Sequence, residues 1–270
     1  MDGPGVLVGV TVLRTLTPAD VPACLQLAAD RDWPPEEAKW RFLLRVGTGF
    51  GLFDGPRLVA TTIITRFGDE HAAVSMVLVA SSHGRRGLGR RLVEHALEHA
   101  GTPVASLYAT RFGKPLYERL GFRSVGVVGG HFGTLDVAAA GVSRPLADDD
   151  REEVVELDAA VFGADRSAMW ERYFDFAREV RVSPDGFAAS WRNTNRLMLG
   201  PIVAGSLAEA KALISDVADG PARVDAGDPE LRAWLTGHGM PARFEVDLMV
   251  RGRFSGARER LWAPLMQALG

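Results

Sequence analysis

The chain has 270 residues, of which 47% are hydrophobic and 24% charged, and its formal net charge is −3 at neutral pH. That length sets one or two domains with ample chain for a core, and the lack of a basic excess argues against nucleic acid as a partner. No apolar run reaches the roughly 18 residues a membrane helix needs, so no membrane partner is expected. Cys24 is the only cysteine, so no disulfide can form within the chain; its apolar helical surroundings make it a buried small hydrophobe. The start MDGPG lacks the basic residues of a secretion signal, and a cytoplasmic location is expected.

In chain order, residues 9–14 alternate as a strand, and Thr17-Pro18-Ala19-Asp20 reads as a helix start with Thr17 as N-cap and Pro18 in the first turn. A second helix, 36–46, follows the break at Pro34-Pro35. Strands at 49–53 and 58–65 flank the turn Asp54-Gly55-Pro56-Arg57, a hairpin signal. After a turn at 68–70, residues 74–80 read as a strand buried on both faces. Next come a glycine- and arginine-rich turn and a helix in which Leu92, Val93, Ala96 and Leu97 recur at helical spacing. A strand at 103–108, a short helix at 112–120 stopping at Gly121, and a strand at 122–128 complete the first half.

The turn between strand 74–80 and the helix after it concentrates the chemistry. Gly84, Gly87 and Gly89 let backbone approach a ligand closely, and a helix beginning there presents unpaired N–H groups to an anion. Arg85, Arg86, Arg90 and Arg91 crowd the same point. The dinucleotide pattern G-x-G-x-x-G fails because Leu92 stands at its third glycine. The triphosphate loop G-x-x-x-x-G-K-[ST] fails at Arg90 and Arg91. Strand, glycine loop and helix with Val79, Gly87, Leu88 and Gly89 instead resemble the acetyl-CoA motif of the GNAT acyltransferase superfamily, V-x-x-x-x-[QR]-x-x-G-x-[GA]; Gly84 stands where the family usually has Arg or Gln. Leu116–Phe122, LYERLGF, resembles the family's second motif, and the mixed α+β element order is also that of a GNAT domain. The resemblance covers about residues 9–130.

The second half echoes the first. Arg14, Leu16 and Asp20 recur as Arg144, Leu146 and Asp150, a shift of 130 residues, each trio leading into a helix. Helices are expected at 149–161, 167–177, 206–218 and 228–237, with strands at 186–192, 196–204 and 222–226. Leu235–Met240 stands where the first half has Leu116–Phe122. Self-similarity of this kind indicates duplication. The expected fold is α+β, with two tandem GNAT-like domains, 1–136 and 137–270, each a mixed, mostly antiparallel twisted sheet flanked by helices. Their linker is expected near Thr134–Gly141. Leu199–Ala204 leads into Gly205-Ser206-Leu207 with no arginine and no R-x-x-G-x-G, and Thr236 replaces the tyrosine of the second motif. With Val161–Arg166, these features resemble a group of bacterial tandem-GNAT proteins whose C-terminal copy is degenerate.

The resemblance implies an N-acetyltransferase using acetyl-CoA as cosubstrate, by direct transfer to a primary amine of a small molecule or peptide, in a monomer or homodimer without a metal. It implies cofactor contacts from Met76, Val77, Leu78, Val79, Gly84, Arg85, Arg86, Gly87, Leu88, Gly89 and Arg90. An oxyanion donor is expected at the Leu78 or Val79 amide, and Tyr117 is expected to protonate the leaving thiolate, since a phenol stays protonated at pH 7. Glu70 is the candidate base among Asp69, Glu70 and His71, with deprotonation through water as the alternative. Trp33 and Trp40 are expected at the acceptor site. Trp170, Tyr173, Phe174 and Phe176, at helical spacing, are expected in the core. His83 and His131 lack metal-ligand partners at suitable spacing. The rival reading is a CoA-binding sensor without activity, favoured by Gly84; an ATP-dependent enzyme is a third.

Overall fold

A computed structural model describes residues 11–270. The first half runs β1 (Val12–Thr15), α1 (Val21–Ala29), α2 (Glu37–Val46), β2 (Thr48–Asp54), β3 (Arg57–Phe67), β4 (His71–Val79), α3 (Leu88–Ala100), β5 (Val104–Ala109), α4 (Lys114–Arg119) and β6 (Arg123–Thr134). The second half runs β7 (Arg144–Pro145), α5 (Arg151–Phe162), α6 (Ser167–Phe176), β8 (Glu179–Ser183), β9 (Gly186–Asn193), β10 (Arg196–Val203), α7 (Leu207–Val217), β11 (Pro221–Ala226), α8 (Pro229–Gly237) and β12 (Ala242–Arg251). One further strand, β13 (Leu261–Ala263), closes the series. The elements of the first half recur one for one in the second.

Local chemistry explains the main elements. The Asp54↔Arg57 register leaves Gly55 and Pro56 as the hairpin turn, with Gly55 at φ +55°. Helix α3 buries Leu92, Val93, Ala96 and Ala100 on one stripe and ends at Gly101, whose left-handed backbone returns its N–H to the Leu97 carbonyl. The echoed motif has one physical basis in both halves. Arg14 forms a two-pronged bond to Asp20 (2.6 and 3.0 Å) while Asp20 accepts the Thr17 N–H at 2.8 Å. Arg144 does the same to Asp150 (2.5 and 2.7 Å), which accepts the Ala147 N–H at 2.7 Å. Each aspartate closes the turn before its helix, and each is held down to about 2 by its arginine.

All strands join one sheet in the order β1-β2-β3-β4-β5-β12-β6-β11-β10-β9-β8-β7, with β13 added against β10. The pairs β4–β5 and β10–β11 are parallel, and every other pair along that order is antiparallel. The pattern reads the same from either end, and its centre is the β12–β6 pair. The halves have exchanged their last strands: β12 lies beside β5, and β6 lies beside β11. A Cβ on Gly130 would strike the Phe244 ring at 2.5 Å, so a residue without a side chain is needed where the exchanged strands cross.

One contiguous core spans both halves. Phe42 of α2 stacks on Phe176 of α6 at 4.3 Å, and Asn193 donates to the buried Glu36 carboxylate at 2.5 Å. A second cluster lies under α7 and α8. Of the expected first strand, Gly9 and Val10 lie outside the described residues. The expected linker begins later than 134, because β6 runs through Thr134.

Candidate functional site

Two irregularities open the sheet in the first half. Between Thr61↔Leu78 and Ile63↔Ser75 the β3–β4 register slips by a residue, and Met76 there has φ +51°. This is a bulge, which bends its strand and re-aims the side chains beyond it. On the other side of β4, parallel pairing with β5 stops at Ala73↔Ser106, although β4 continues to Val79 and β5 to Ala109. The strands part into a wedge. Ala80 donates to the Val59 carbonyl at 2.8 Å, so by the alternation of an antiparallel ladder Leu78 faces β3 and Val79 turns its N–H into the wedge.

The mouth of the wedge meets the glycine loop. Asp30 fixes the start of the loop by accepting from the Ser81 amide (2.6 Å) and hydroxyl (2.8 Å), and His83 Nε2 lies 3.2 Å from Asp54. Arg85 (φ +61°) and Gly87 (φ +76°) carry the turn into α3. Among the described residues, the N–H groups from Arg85 to Arg90 have no acceptor; Arg91 is the first to bond back, to the Gly87 carbonyl at 3.0 Å. Arg85 and Arg86 are exposed and unpaired among the described residues, whereas Arg90 bonds Glu94 and Arg91 bonds Thr11. At Gly89 an added Cβ would meet Val79 and Leu116 only at 3.4 and 3.6 Å, and at Gly87 it would meet nothing. Packing alone therefore does not require a glycine at 89, whereas the left-handed backbone at Gly87 favours one. A phosphate fits this concave set of amides and arginines.

Tyr117 lies in α4, next to Leu116 at the wall of the wedge. It is 7% exposed, its ring stands 6.1 Å from Phe122, and burial pushes its phenol up, so the hydroxyl stays protonated. That hydroxyl has no hydrogen-bond partner among the described residues. Met76 and Leu78 are buried, while Val77 and Val79 are half-buried along the opening.

Other expected residues are placed elsewhere. Glu70 is in the exposed turn before β4, six residues from Met76 and so ~20 Å from the bulge along the strand, and the structure does not bring it to the wedge. Asp69 shares that turn and pairs with Arg66. His71 is buried, 2.8 Å from the Ser106 hydroxyl, and burial presses it down to about 3, so it is neutral. Trp40 is 1% exposed in the core, without surface for an acceptor, and Trp33 packs half-buried against that core. His131 is a buried strand residue whose Nδ1 lies 2.9 Å from the Met240 carbonyl. Trp170 and Tyr173 are fully buried, with Tyr173 donating to the Gly200 carbonyl at 2.8 Å. Cys24 is buried and its thiol is pushed up to about 12, far from a nucleophile's range. No cluster of metal-binding side chains exists among the described residues.

The second half has the same wedge, and it is filled. Pairing of β10 with β11 stops at Leu199↔Val224, and β13 then pairs β10 at Ile202↔Ala263 and Val203↔Leu261. The Ala204 N–H donates to Arg260 at 3.1 Å, and a Cβ on Gly200 would collide with the Pro264 carbonyl. The N-terminus of α7 is filled too: Ser206 accepts from Glu209, and the Glu209 carboxylate accepts the Gly205 N–H at 2.9 Å. Asp185 closes over Gly205, held by Arg260 at 2.7 Å. Carboxylates stand where the first half presents arginines.

Two models of the same family match the chain: one described as Acetyltransferase (GNAT) family over residues 14–122, and one as Acetyltransferase (GNAT) domain over residues 154–263. The N-acetyltransferase YitH of Bacillus subtilis, itself uncharacterized, is 26% identical over 220 residues, covering 76% of this chain and 78% of that one. A candidate acetyltransferase from Pyrococcus horikoshii has the same fold over 100% of this chain and 99% of its own, with a TM-score of 0.84 at 18% identity. A GCN5-related N-acetyltransferase from Sphaerobacter thermophilus aligns at a TM-score of 0.63 and 17% identity, over 91% and 96% of the two chains.

Proposed function

Because the chain belongs to the GNAT acetyltransferase family, with two such domains in tandem, we propose that it is an N-acetyltransferase whose first domain moves an acetyl group from acetyl-CoA to a primary amine. The domains divide at 136/137 in sequence, and the second is a structural partner without a cofactor site of its own. The observation that carries this reading is the open wedge beside an unsatisfied, arginine-lined helix N-terminus in the first half, against a filled wedge and a carboxylate-lined helix start in the second.

Acetyl-CoA supplies an activated acyl group. In this reading the amides from Arg85 to Arg90, with Arg85 and Arg86, hold its pyrophosphate, and the walls of the wedge, Val77 and Val79, hold the pantetheine arm. The Val79 N–H holds the carbonyl oxygen as it gains charge during attack by the amine. Tyr117 gives its proton to the leaving sulfur. Glu70 stands at the far end of β4, so in this reading the amine loses its proton through water. With Cys24 buried and protonated, transfer is direct. The expected setting is the cytoplasm.

Calorimetry with acetyl-CoA and CoA, followed by thiol release over a panel of amines, tests the reading. Expected are a single site and turnover with at least one amine. Binding without turnover on any amine would favour the sensor, and loss of neither binding nor turnover in Gly89→Leu would remove the loop from the site.

A further inference from the structure

On the face of the sheet opposite α3, the second half packs against the paired base of the first half's wedge. His71, Ser106 and Tyr108 share that face: His71 and Ser106 touch at 2.8 Å, and Tyr108 follows Ser106 by two residues. Extending the register Ala73↔Ser106 by two places Ser75 across the wedge from Tyr108. The Ser75 hydroxyl is buried without a hydrogen-bond partner among the described residues. Helix α5 covers this face with Phe162, stacked on His71 at 4.9 Å.

The loop after β12 adds a cation. Ser255 donates to the Gly163 carbonyl at 2.7 Å, Ala257 donates to Ala160 at 3.1 Å, and a Cβ on Gly256 would come within 2.6 Å of the Gly163 nitrogen, so the loop is clamped to the end of α5. This fixes Phe254 and Arg258. The Arg258 guanidinium lies 3.9 Å from the Phe254 centroid and 4.6 Å from that of Phe162, and gives one N–H to the Phe162 carbonyl at 2.9 Å. It is half-buried and has no carboxylate partner among the described residues; the neighbouring Arg166 holds Asp158 in a fully buried pair. Burial draws Arg258 down to about 10, with Tyr108 and the Asp158 carboxylate opposing that shift and Arg166 adding to it, which leaves it a cation at neutral pH. A partly desolvated guanidinium with most donors unused, over aromatic rings, is an oxyanion receptor awaiting its anion.

We propose that the acceptor is an amine that also carries a carboxylate, as an amino acid does, and that Arg258, delivered by the second half, binds that carboxylate beside Tyr108 on the wedge. The inference rests on the acetyl-transfer reading for the identity of the site. A planar guanidinium engages a carboxylate through two parallel bonds, and one half-buried cation balances the single charge of a carboxylate rather than the roughly −2 of a phosphate monoester. The acceptor's amine then points toward Ser75 and the bulge. Arg258 is a specificity-determining residue in this arrangement, remote from the acetyl carbon.

The test compares matched acceptors in the thiol-release assay: L-phenylalanine against phenethylamine, L-lysine against cadaverine, and O-phosphoethanolamine against ethanolamine. Expected is a preference of at least about 10-fold in kcat/KM for the carboxylate of a pair. Arg258→Ala and Arg258→Gln should each raise the carboxylate acceptor's KM by about 10- to 100-fold, with kcat, the acetyl-CoA KM and neutral-amine turnover near wild type. Arg258→Gln can keep the bond to the Phe162 carbonyl, and Arg258→Lys should recover part of the loss. Equal turnover of charged and neutral partners, a preference confined to the phosphate pair, or discrimination that survives Arg258→Gln would overturn the proposal. Binding of N-acetyl-L-phenylalanine to the CoA-loaded protein, read by calorimetry, is independent of turnover. If no amine is acetylated, the transfer reading fails, and binding that depends on Arg258 still supports the anion site; no binding overturns it.

Discussion

The starts of α3 and α7 occupy equivalent places in two copies of one fold, yet one leaves its donors free among the described residues and the other turns them inward. At α3 the amides from Arg85 to Arg90 are free among the described residues and arginines surround them; at α7 the Glu209 carboxylate takes the Gly205 N–H and the Ser206 hydroxyl takes the Glu209 N–H. The wedges differ in the same sense, since β13 lies along β10 where the first half leaves β4 unpaired. The comparison separates what the fold requires from what the chemistry requires. Bulge, parting strands and following helix persist in both halves, because the core packs around them. A few residues at the opening decide whether a ligand or the chain itself completes the hydrogen bonds.

The sharpest way to break this comparison is to close the open site. Gly89→Leu should weaken acetyl-CoA binding by at least about 100-fold in calorimetry while the melting temperature stays near wild type, because an added Cβ meets Val79 and Leu116 only at ordinary contact distance and the position is not part of the buried core. The converse substitution in the sealed half, Gly200→Val, should leave acetyl-CoA affinity intact and destabilise the fold by about 1–3 kcal/mol in denaturant unfolding, because the side chain meets the Pro264 carbonyl. If Gly200→Val instead removes cofactor binding with little change in stability, the second half holds the cofactor and the comparison is reversed. Tyr117→Phe should reduce kcat by about 100-fold with little effect on the acetyl-CoA dissociation constant; equal turnover would remove Tyr117 from the step. Gly84→Arg restores the family's side chain at a position of ordinary backbone, where the nearest atom to a Cβ is the Ser81 oxygen at 3.6 Å, and should tighten acetyl-CoA binding by about 3- to 10-fold.

The smallest effect sharpens the comparison from the shared side. Asp20 and Asp150 both fall from 3.8 to about 2 on folding, each held by its arginine. A lowered value means the contribution is complete above about pH 4 and is lost as pH falls through about 2. Asp20→Asn and Asp150→Asn should therefore each flatten the acid limb of stability against pH to a similar, small degree, and neither should change acetyl-CoA affinity.

Much of this was legible because it is local. Glycines beside arginines, apolar residues at helical spacing and the R-x-L-x-x-x-D echo all report on neighbours within a few residues. The exchanged strands were not legible, since no local signal says which distant strand β6 or β12 will pair with. Strand β12 itself was missed because Arg243-Phe244-Glu245 are exposed on both faces near the crossing. Glu70 was misplaced because its position on the end of a strand is visible in sequence, while the position of the bulge is not. Trp40 read as a pocket residue because an aromatic on a helix gives no hint of which face a second domain will cover. Arg258 lies in no motif, and the clamp between Gly163 and Gly256 is what sets it over the Phe162 ring.

The exchange of last strands also orders events during synthesis. One wall of the open wedge is β5, and its outer neighbour is β12, whose first residue follows the end of β5 by 133 positions. A nascent first domain leaves the ribosome with that edge of β5 unpaired, and its own last strand must wait for β11. The chain therefore passes through a stage in which the glycine loop exists but the sheet behind it is incomplete, with open strand edges that attract chaperones or other chains. The sheet around the wedge is complete only when the far half of the polypeptide reaches back to β5.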